Sequence, residues 1–328
     1  MLTILVVDGA AKVYLREGLV VVSDKEGNRL EQSIPDLELV VIIGRRILLT
    51  SAMLLTLTSN NIPIVFFDPR STVVATLFNT IQVGSMDIRM HQYKCIGDLT
   101  CSLNIARKIV ESKLKGLYNL IRYELKYHSD KVKDMDIGYL KAKILASIEE
   151  VKEARNIDEL RLIEAKGSKT AWTIVAKLFP EEYNFRGRKP RGNDIINSAI
   201  DFTYAILYGI LLKAIVANGL DPYAGLIHTP KPGRTSFVYD LSEIYKPLAI
   251  HSVLQASRIY KLKTYRGSSK LTPKTIEALV KQLYYRLHTL GEKIYKRKNI
   301  WIHPIKEAEK LKKTLTRNEP YKPYVYKP

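Results

Sequence analysis

The sequence predicts a two-domain α+β protein, with a small amino-terminal β-rich domain followed by a larger all-α domain. Three observations predict it. The chain has 328 residues, roughly twice the length expected of a single domain. Short β-branched runs broken by turn residues fill the first 80 positions, whereas apolar residues at helical spacing dominate beyond residue 98. The charge divides in the same way. Residues 1–80 carry 7 Lys/Arg against 8 Asp/Glu, and residues 250–328 carry 19 against 5, within an overall net charge of +19. The boundaries drawn from these shifts are 1–80 for the β-rich domain, 81–97 for a linker and 98–328 for the helical domain.

Leu2–Val7 reads as a first strand, and Val13–Leu15 and Leu19–Ser23 follow it around Glu17-Gly18. The turn in Asp24–Asn28 predicts a hairpin to Arg29–Ile34. Leu37–Ile43 is a further β-branched run. Thr50–Thr58 places Met53, Leu54 and Leu57 at helical spacing, with Thr50 or Ser51 as N-cap. Ile64–Phe67 is a buried strand, and Asp68-Pro69-Arg70 turns the chain towards Val73–Phe78. An acid before proline reads as a turn former rather than a ligand. This near-neutral, apolar domain offers no catalytic constellation, so its expected work is packing and self-association. Past the linker, helices are predicted over Leu99–Tyr127, Tyr139–Ala154, Ile157–Phe179 and from Asn193-Asp194 to Asn218, the last ended by Gly219. A proline-opened helix begins at Thr272-Pro273. Lys306–Leu315 is another basic amphipathic piece, and Asn318–Pro328, rich in Pro, Tyr and Lys, predicts a loose tail.

A basic excess confined to one region is the electrostatic footprint of a polyanion, nucleic acid first and an anionic membrane second. A Lys-rich surface of the thermophile kind would carry matching Glu, and here the Glu do not match. The basic helices are not followed by Trp/Phe clusters that would insert into lipid. The first residues lack a basic start and a sufficient apolar run for a signal peptide, and no stretch of about 18 uninterrupted apolar residues predicts a transmembrane helix. Cys95 and Cys101 are too few for a disulfide framework and wrongly spaced for zinc, which predicts two reduced thiols. The expectation is a soluble cytoplasmic protein.

The richest stretch for chemistry runs from Gly219 to Pro247. It holds His228 and the close acids Asp240 and Glu243, with Lys231, Arg234 and Lys246 around them. One nitrogen and carboxylate oxygens suit a divalent cation such as Mn2+ or Mg2+, and the surrounding cations suit a phosphate-bearing substrate that such a metal would activate. Residues 180–192 form a basic loop in which Arg186, Arg188, Lys189 and Arg191 accompany Tyr183 and Phe185. Guanidinium forks match phosphate geometry, and rings can stack on bases. Asn197, Asp201, Tyr204 and Tyr208 fall at i, i+4, i+7 and i+11, one polar stripe on an otherwise apolar helix. Such a stripe faces solvent or walls a site, and its tyrosines favour the wall. Glu164, alone on its helix, reads as a solvated face.

Taken together, these pieces resemble the CRISPR-associated spacer integrase family, that of the first-numbered Cas protein. The resemblance spans nearly the whole chain. It is carried by residues 61–77, by His91-Gln92-Tyr93, by Glu164, and by Phe185-Arg186-Gly187-Arg188 with Pro190. It continues through Asn193-Asp194 with Asn197, Gly219-Leu220-Asp221-Pro222-Tyr223 leading to His228, and Asp240-Leu241-Ser242-Glu243. The resemblance implies a metal site of Glu164, His228 and an acid of the last element. Both Glu243 and Asp240 qualify, because residues three apart share a helix face. It also implies insertion of new spacers into a CRISPR array by attack of a DNA 3′-hydroxyl, with hydrolysis when water attacks instead, as part of antiviral defence. Lys166, Arg186, Arg188, Asn197, Tyr204, Arg234 and Lys246 are the DNA-binding candidates. Where the family often has Arg before the proline, this chain has Lys246-Pro247, which supplies a point charge without the bidentate fork. The implied partners are DNA, a second copy paired through the β-rich domain, and the second-numbered Cas protein as a bridge. The rival readings are a non-catalytic architectural DNA-binding protein of this fold and a transposon-encoded integrase, although no extra DNA-binding segments of the kind the latter carries are present.

Overall fold

The computed structural model describes residues 3–9, 11–44, 46–67, 73–77, 85–229, 232–297 and 299–328. Asp68 and Lys231, both named above, lie outside the described residues.

The amino-terminal region contains strands β1 (Thr3–Asp8), β2 (Ala11–Arg16), β3 (Leu19–Asp24), β4 (Arg29–Ser33), β5 (Leu37–Ile43), β6 (Leu48–Leu49), β7 (Ile64–Phe67) and β8 (Val73–Leu77), with helix α1 (Ser51–Ser59) between β6 and β7. They form two sheets, β1-β5-β7-β8 and β4-β3-β2-β6. In the first, β5 runs parallel to β1 and β7. Every residue of β5 is buried, as expected of a central parallel strand covered on both faces. Val40 and Ile42 face a small core with Leu5, Val20, Met53 and Leu57. Leu39, Val41 and Ile43 belong instead to the main helical core. The period of two therefore splits one strand between two cores, and this ties the β-rich region to the helices.

The helical region comprises α2 (Ser85–Gly97), α3 (Leu99–Glu124), α4 (Ile137–Glu153), α5 (Ile157–Leu178), α6 (Ile195–Ala217), α7 (Ser236–Ser242), α8 (Lys246–Ile259), α9 (Pro273–Tyr295) and α10 (Ile302–Arg317). Side-chain caps fix the starts of most of the long ones. Asp98 accepts from Thr100 N, Asn156 from Glu159 N, Asp194 from Asn197 N and Thr272 from Thr275 N, each satisfying a backbone donor that the first turn leaves open. Helix α6 is long and apolar enough by length and composition to cross a membrane, but 78% of its apolar window is buried within the fold. It is the central helix, touching α7, α8, α9 and α10.

The stretch read as a linker carries α2. Two expectations are corrected. Cys95 and Cys101 form a disulfide rather than two free thiols. Their spacing of six matches no motif, but the Asp98 cap turns the chain sharply between α2 and α3 and brings their Cα atoms to 5.2 Å. The tail is docked rather than loose. Tyr321 and Tyr326 are buried, and Tyr321 donates to Glu307 (2.9 Å). Asn119 donates to the Tyr326 carbonyl (2.9 Å), and the Tyr326 hydroxyl meets His251 Nδ1 (2.7 Å) and accepts from Arg286 (3.1 Å). A tyrosine buries a ring when its hydroxyl finds a partner, and this tail supplies several.

Candidate active site

Four elements bring the candidate residues together beside one cavity. Helix α5 brings Glu164. It lies close against α3 and α4 because residue 167 is glycine: a Cβ there would sit 2.9 Å from Leu114 Cδ2 and 3.0 Å from Ser147 Cβ. The approach puts Glu164 in contact with Lys113 of α3, and Ser168, one turn on, donates to Glu164 Oε1 (2.6 Å). The loop after α6 brings His228. The end of α7 and the start of α8 bring Asp240, Glu243 and Lys246.

Asp240 and Glu243 have separate tasks. Asp240 is fully buried and accepts from the backbone of Leu226 (2.5 Å), Ile227 (3.0 Å) and His228 (3.0 Å). It also contacts His228 Nδ1 at 2.6 Å. Its oxygens are thus spent on folding the loop and orienting the imidazole, which leaves Nε2 directed at Glu243 Oε1, 3.9 Å away. Gly225 permits this, since a Cβ there would meet the His228 carbonyl and Ser236 Cβ at 2.7 Å. Gln92 of α2 holds the loop from behind, donating to the carbonyls of Asp221 (3.0 Å) and Ala224 (3.1 Å) and accepting from Asp221 N (2.8 Å). Arg161 adds a bond to the Ile227 carbonyl (2.8 Å).

Glu243 faces Lys246 through Oε1 and Lys113 through Oε2, at 2.5 and 2.6 Å. Burial alone would raise its pKa, but Lys113, Lys246 and His228 outweigh burial and bring it down to about 2. Glu164 is also lowered, with burial opposed chiefly by Lys113. Burial works against the Lys113 ammonium, and the two glutamates overcome it, so that its pKa rises. The Lys113–Glu243 contact is close but poorly aligned as a hydrogen bond, and Glu243 Oε2 is left buried without a directed donor.

The donor set of two carboxylates and one imidazole fits a hard divalent cation, and the undirected Oε2 is an acceptor such an ion would use. Among the described residues no three His, Cys, Asp or Glu side chains stand as a ready-made cage. The Lys113 ammonium contacts both glutamates instead.

The cavity, about 760 Å³, is lined by Lys113, Arg188, Tyr204, Tyr208, His228, Arg234 and Lys246, among others. The polar stripe of α6 thus forms a wall. Arg188 pairs with Asp201 and lies over the Tyr204 ring, 5.5 Å from its centroid. Burial raises the pKa of both Tyr204 and Tyr208, so each keeps its phenolic proton. Arg186 and Arg188 also line a larger neighbouring groove with Lys169, Trp172 and Phe185. Two expected DNA contacts are placed differently. Asn197 is buried. It accepts from Arg188 Nη1 (3.0 Å) and Lys189 N (2.8 Å) and donates to the Gly187 carbonyl (3.2 Å) and Asp194 (2.6 Å). An amide has four such bonds to give, so Asn197 shapes the basic loop. Lys166 lines neither cavity and pairs with Glu150 of α4 (2.8 Å). Sequence reasoning missed Lys113, although a signal existed. It falls between Ile109 and Leu117, one turn from each on the buried stripe of α3, where an unpaired lysine is unstable.

The family model "CRISPR associated protein Cas1" matches residues 4–283. The chain is 30% identical to the CRISPR-associated endonuclease Cas1 of Hyperthermus butylicus, over 98% of each chain. Among solved structures, a casposase bound to integration product superposes with a TM-score of 0.84 at 19% identity, covering 99% of this chain and 95% of that one. A Cas6-RT-Cas1–Cas2 complex superposes at 0.77 and 18% identity, covering 99% of this chain and 36% of that one. At these identities the structural likenesses concern the fold.

Proposed function

The chain belongs to the Cas1 family, and from that premise we propose that Glu164, His228 and Glu243 hold the divalent cation, Mn2+ or Mg2+, with which it cuts and joins DNA. The activity is that of a CRISPR-associated endonuclease and integrase, which inserts new spacers into a CRISPR array. The observation that carries the site assignment is convergence. Glu164 of α5 and Glu243 at the end of α7 share the Lys113 ammonium, and His228 of the 225–229 loop lies 3.9 Å from Glu243 through Nε2, beside a cavity that bears Arg188, Arg234 and Lys246.

When bound, the cation would lower the pKa of the attacking hydroxyl and stabilise charge on the phosphoryl oxygens. The chain's own residues do the rest. Asp240 holds the His228 ring so that Nε2 faces the cavity. Arg188, Arg234 and Lys246 neutralise the backbone of entering DNA and fix its register without reading bases. Tyr204 and Tyr208, kept protonated by burial, offer hydroxyl donors to a phosphate oxygen or a strand end. In the integration step a DNA 3′-oxygen forms a new bond to a repeat phosphorus, and the phosphodiester bond to the displaced strand breaks, so the number of such bonds is conserved. With water as the nucleophile the same displacement is hydrolysis.

The partners follow the family: DNA, a second copy of the chain, and Cas2 as a bridge. Exposed Leu30, Leu48 and Leu55 on the β-rich region support its use in self-association. The test is strand transfer on a branched DNA mimicking a half-integrated spacer, with Mn2+ or Mg2+, for the wild type, Glu164→Ala and His228→Ala. Joining or cutting by the wild type, with variants that bind DNA but do neither, supports the assignment. A wild type that binds DNA in a salt-dependent way and never cuts or joins would sink it in favour of an architectural role.

A further inference from the structure

We propose that Lys113 is a placeholder for the cation: in the metal-free protein its ammonium binds Glu164 and Glu243 together, and it leaves them when the divalent ion arrives. The proposal rests on the assignment of those two glutamates as ligands. Its basis is placement. The Lys113 side chain is 10% exposed, on a helix face whose neighbours one turn away, Ile109 and Leu117, are core. A buried lysine is stable only when paired, and this one contacts Glu164 Oε1 and Glu243 Oε2. The two glutamates are themselves largely buried, and side by side they repel one another.

The Lys113 charge between them, with Lys246 on the other oxygen of Glu243, keeps the site assembled. A divalent ion would do the same with a stronger field and directed bonds. Two cations cannot share the same oxygens at bonding distance, because like charges that close repel strongly in a medium shielded from water. Loading the site therefore requires the lysine to move, and removing the lysine should leave an emptier and more negative site. Lys113 acts through the ligands, which makes it a positioning residue.

The test uses the full chain treated with EDTA and titrated with MnCl2. Free Mn2+ is read by its electron paramagnetic resonance, and Tm is measured with and without the ion. Metal-free Lys113→Met should unfold roughly 5–10 °C below wild type, since breaking a buried pair from one side strands the other charge. Mn2+ should raise its Tm by more than it raises that of the wild type, and its Kd for Mn2+ should be about tenfold lower or less. Lys113→Arg, which keeps the charge, should match the wild type. The double variant Lys113→Met/Glu164→Gln should recover the metal-free Tm, because it removes one of the stranded charges. If Lys113→Met does not fold without metal, its refolding yield on Mn2+ addition replaces the Tm: recovery supports the proposal and no recovery overturns it. Wild-type Mn2+ binding that Glu164→Gln weakens, with Lys113→Met at wild-type affinity or weaker, overturns the placeholder alone. No Mn2+ binding by the wild type, or binding that Glu164→Gln leaves unchanged, overturns the ligand assignment and the placeholder together.

Discussion

Replacing Asp240 by Asn changes one atom in the most heavily bonded side chain of the site. Asp240 accepts three backbone N–H bonds and contacts the His228 ring, at 2.5 to 3.0 Å. An amide has a single oxygen, so one side of the group becomes a donor facing donors. If the amide nitrogen replaces Oδ2, the N–H groups of Leu226 and Ile227 lose their acceptor. If it replaces Oδ1, the His228 N–H loses its acceptor and Nδ1 must turn acceptor. The ring proton then moves to Nε2, the atom assigned to the cation. Bonds to a buried carboxylate are worth about 1.5–3 kcal/mol each, so loss of two predicts a destabilisation of roughly 3–6 kcal/mol.

A partner that orients a histidine ligand is worth about 10–100-fold in metal affinity, and that is the loss predicted for Mn2+. Chemical denaturation in EDTA reads the first quantity and Mn2+ titration the second. A double-mutant cycle with His228→Gln separates positioning from direct ligation. If Asp240 acts through His228, the second substitution adds little to the first. An Asp240→Asn protein with wild-type stability and wild-type Mn2+ affinity would refute the reasoning, and strictly additive losses with His228→Gln would make Asp240 an independent ligand.

Glu124 gives a second prediction, away from the metal site. Its burial would raise its pKa, but the His251 hydrogen bond and the Arg258 charge hold it at about 2. A carboxyl whose folded pKa is depressed stabilises the fold above its unfolded pKa and loses that contribution as pH falls through the folded value. The wild type should therefore lose about 3 kcal/mol from this group between about pH 4.5 and pH 2, and Glu124→Gln should be less stable at pH 7 with a flatter acid limb. Equal acid slopes in urea titrations of the two proteins would contradict this. For the tail, Tyr326→Ala removes a buried ring and leaves Arg286 and His251 without its hydroxyl. The expected loss is about 3–5 kcal/mol, and an unchanged thermal midpoint would mean that the tail is not docked in solution.

Much of this arrangement is legible in the sequence because it is local. The Asp194 cap, the apolar run to Ala217 and the stripe of Asp201, Tyr204 and Tyr208 are written within one helix, and the structure puts that stripe on the cavity wall. What depends on tertiary approach is not legible. Asp240 and Glu243 look equivalent as ligands until the 225–228 loop folds back onto one of them, which takes the close passage at Gly225. Lys166 follows Glu164 by two residues, about 200° around the helix, and so meets Glu150 of α4 when Glu164 meets Lys113 of α3. The disulfide forms across a corner whose angle no spacing encodes. The tail has no periodicity to read, and its tyrosines find their partners only on helices α3, α8, α9 and α10.

The most direct test of the account is the ligand environment of Mn2+ bound to the full chain. Pulsed electron paramagnetic resonance detects the coupling of one imidazole nitrogen to the ion. That coupling is expected in the wild type, lost in His228→Gln with much weakened binding, and kept in Lys113→Arg. Tightly bound Mn2+ with no nitrogen coupling, or a coupling that survives His228→Gln, would place the ion elsewhere and contradict the site described here.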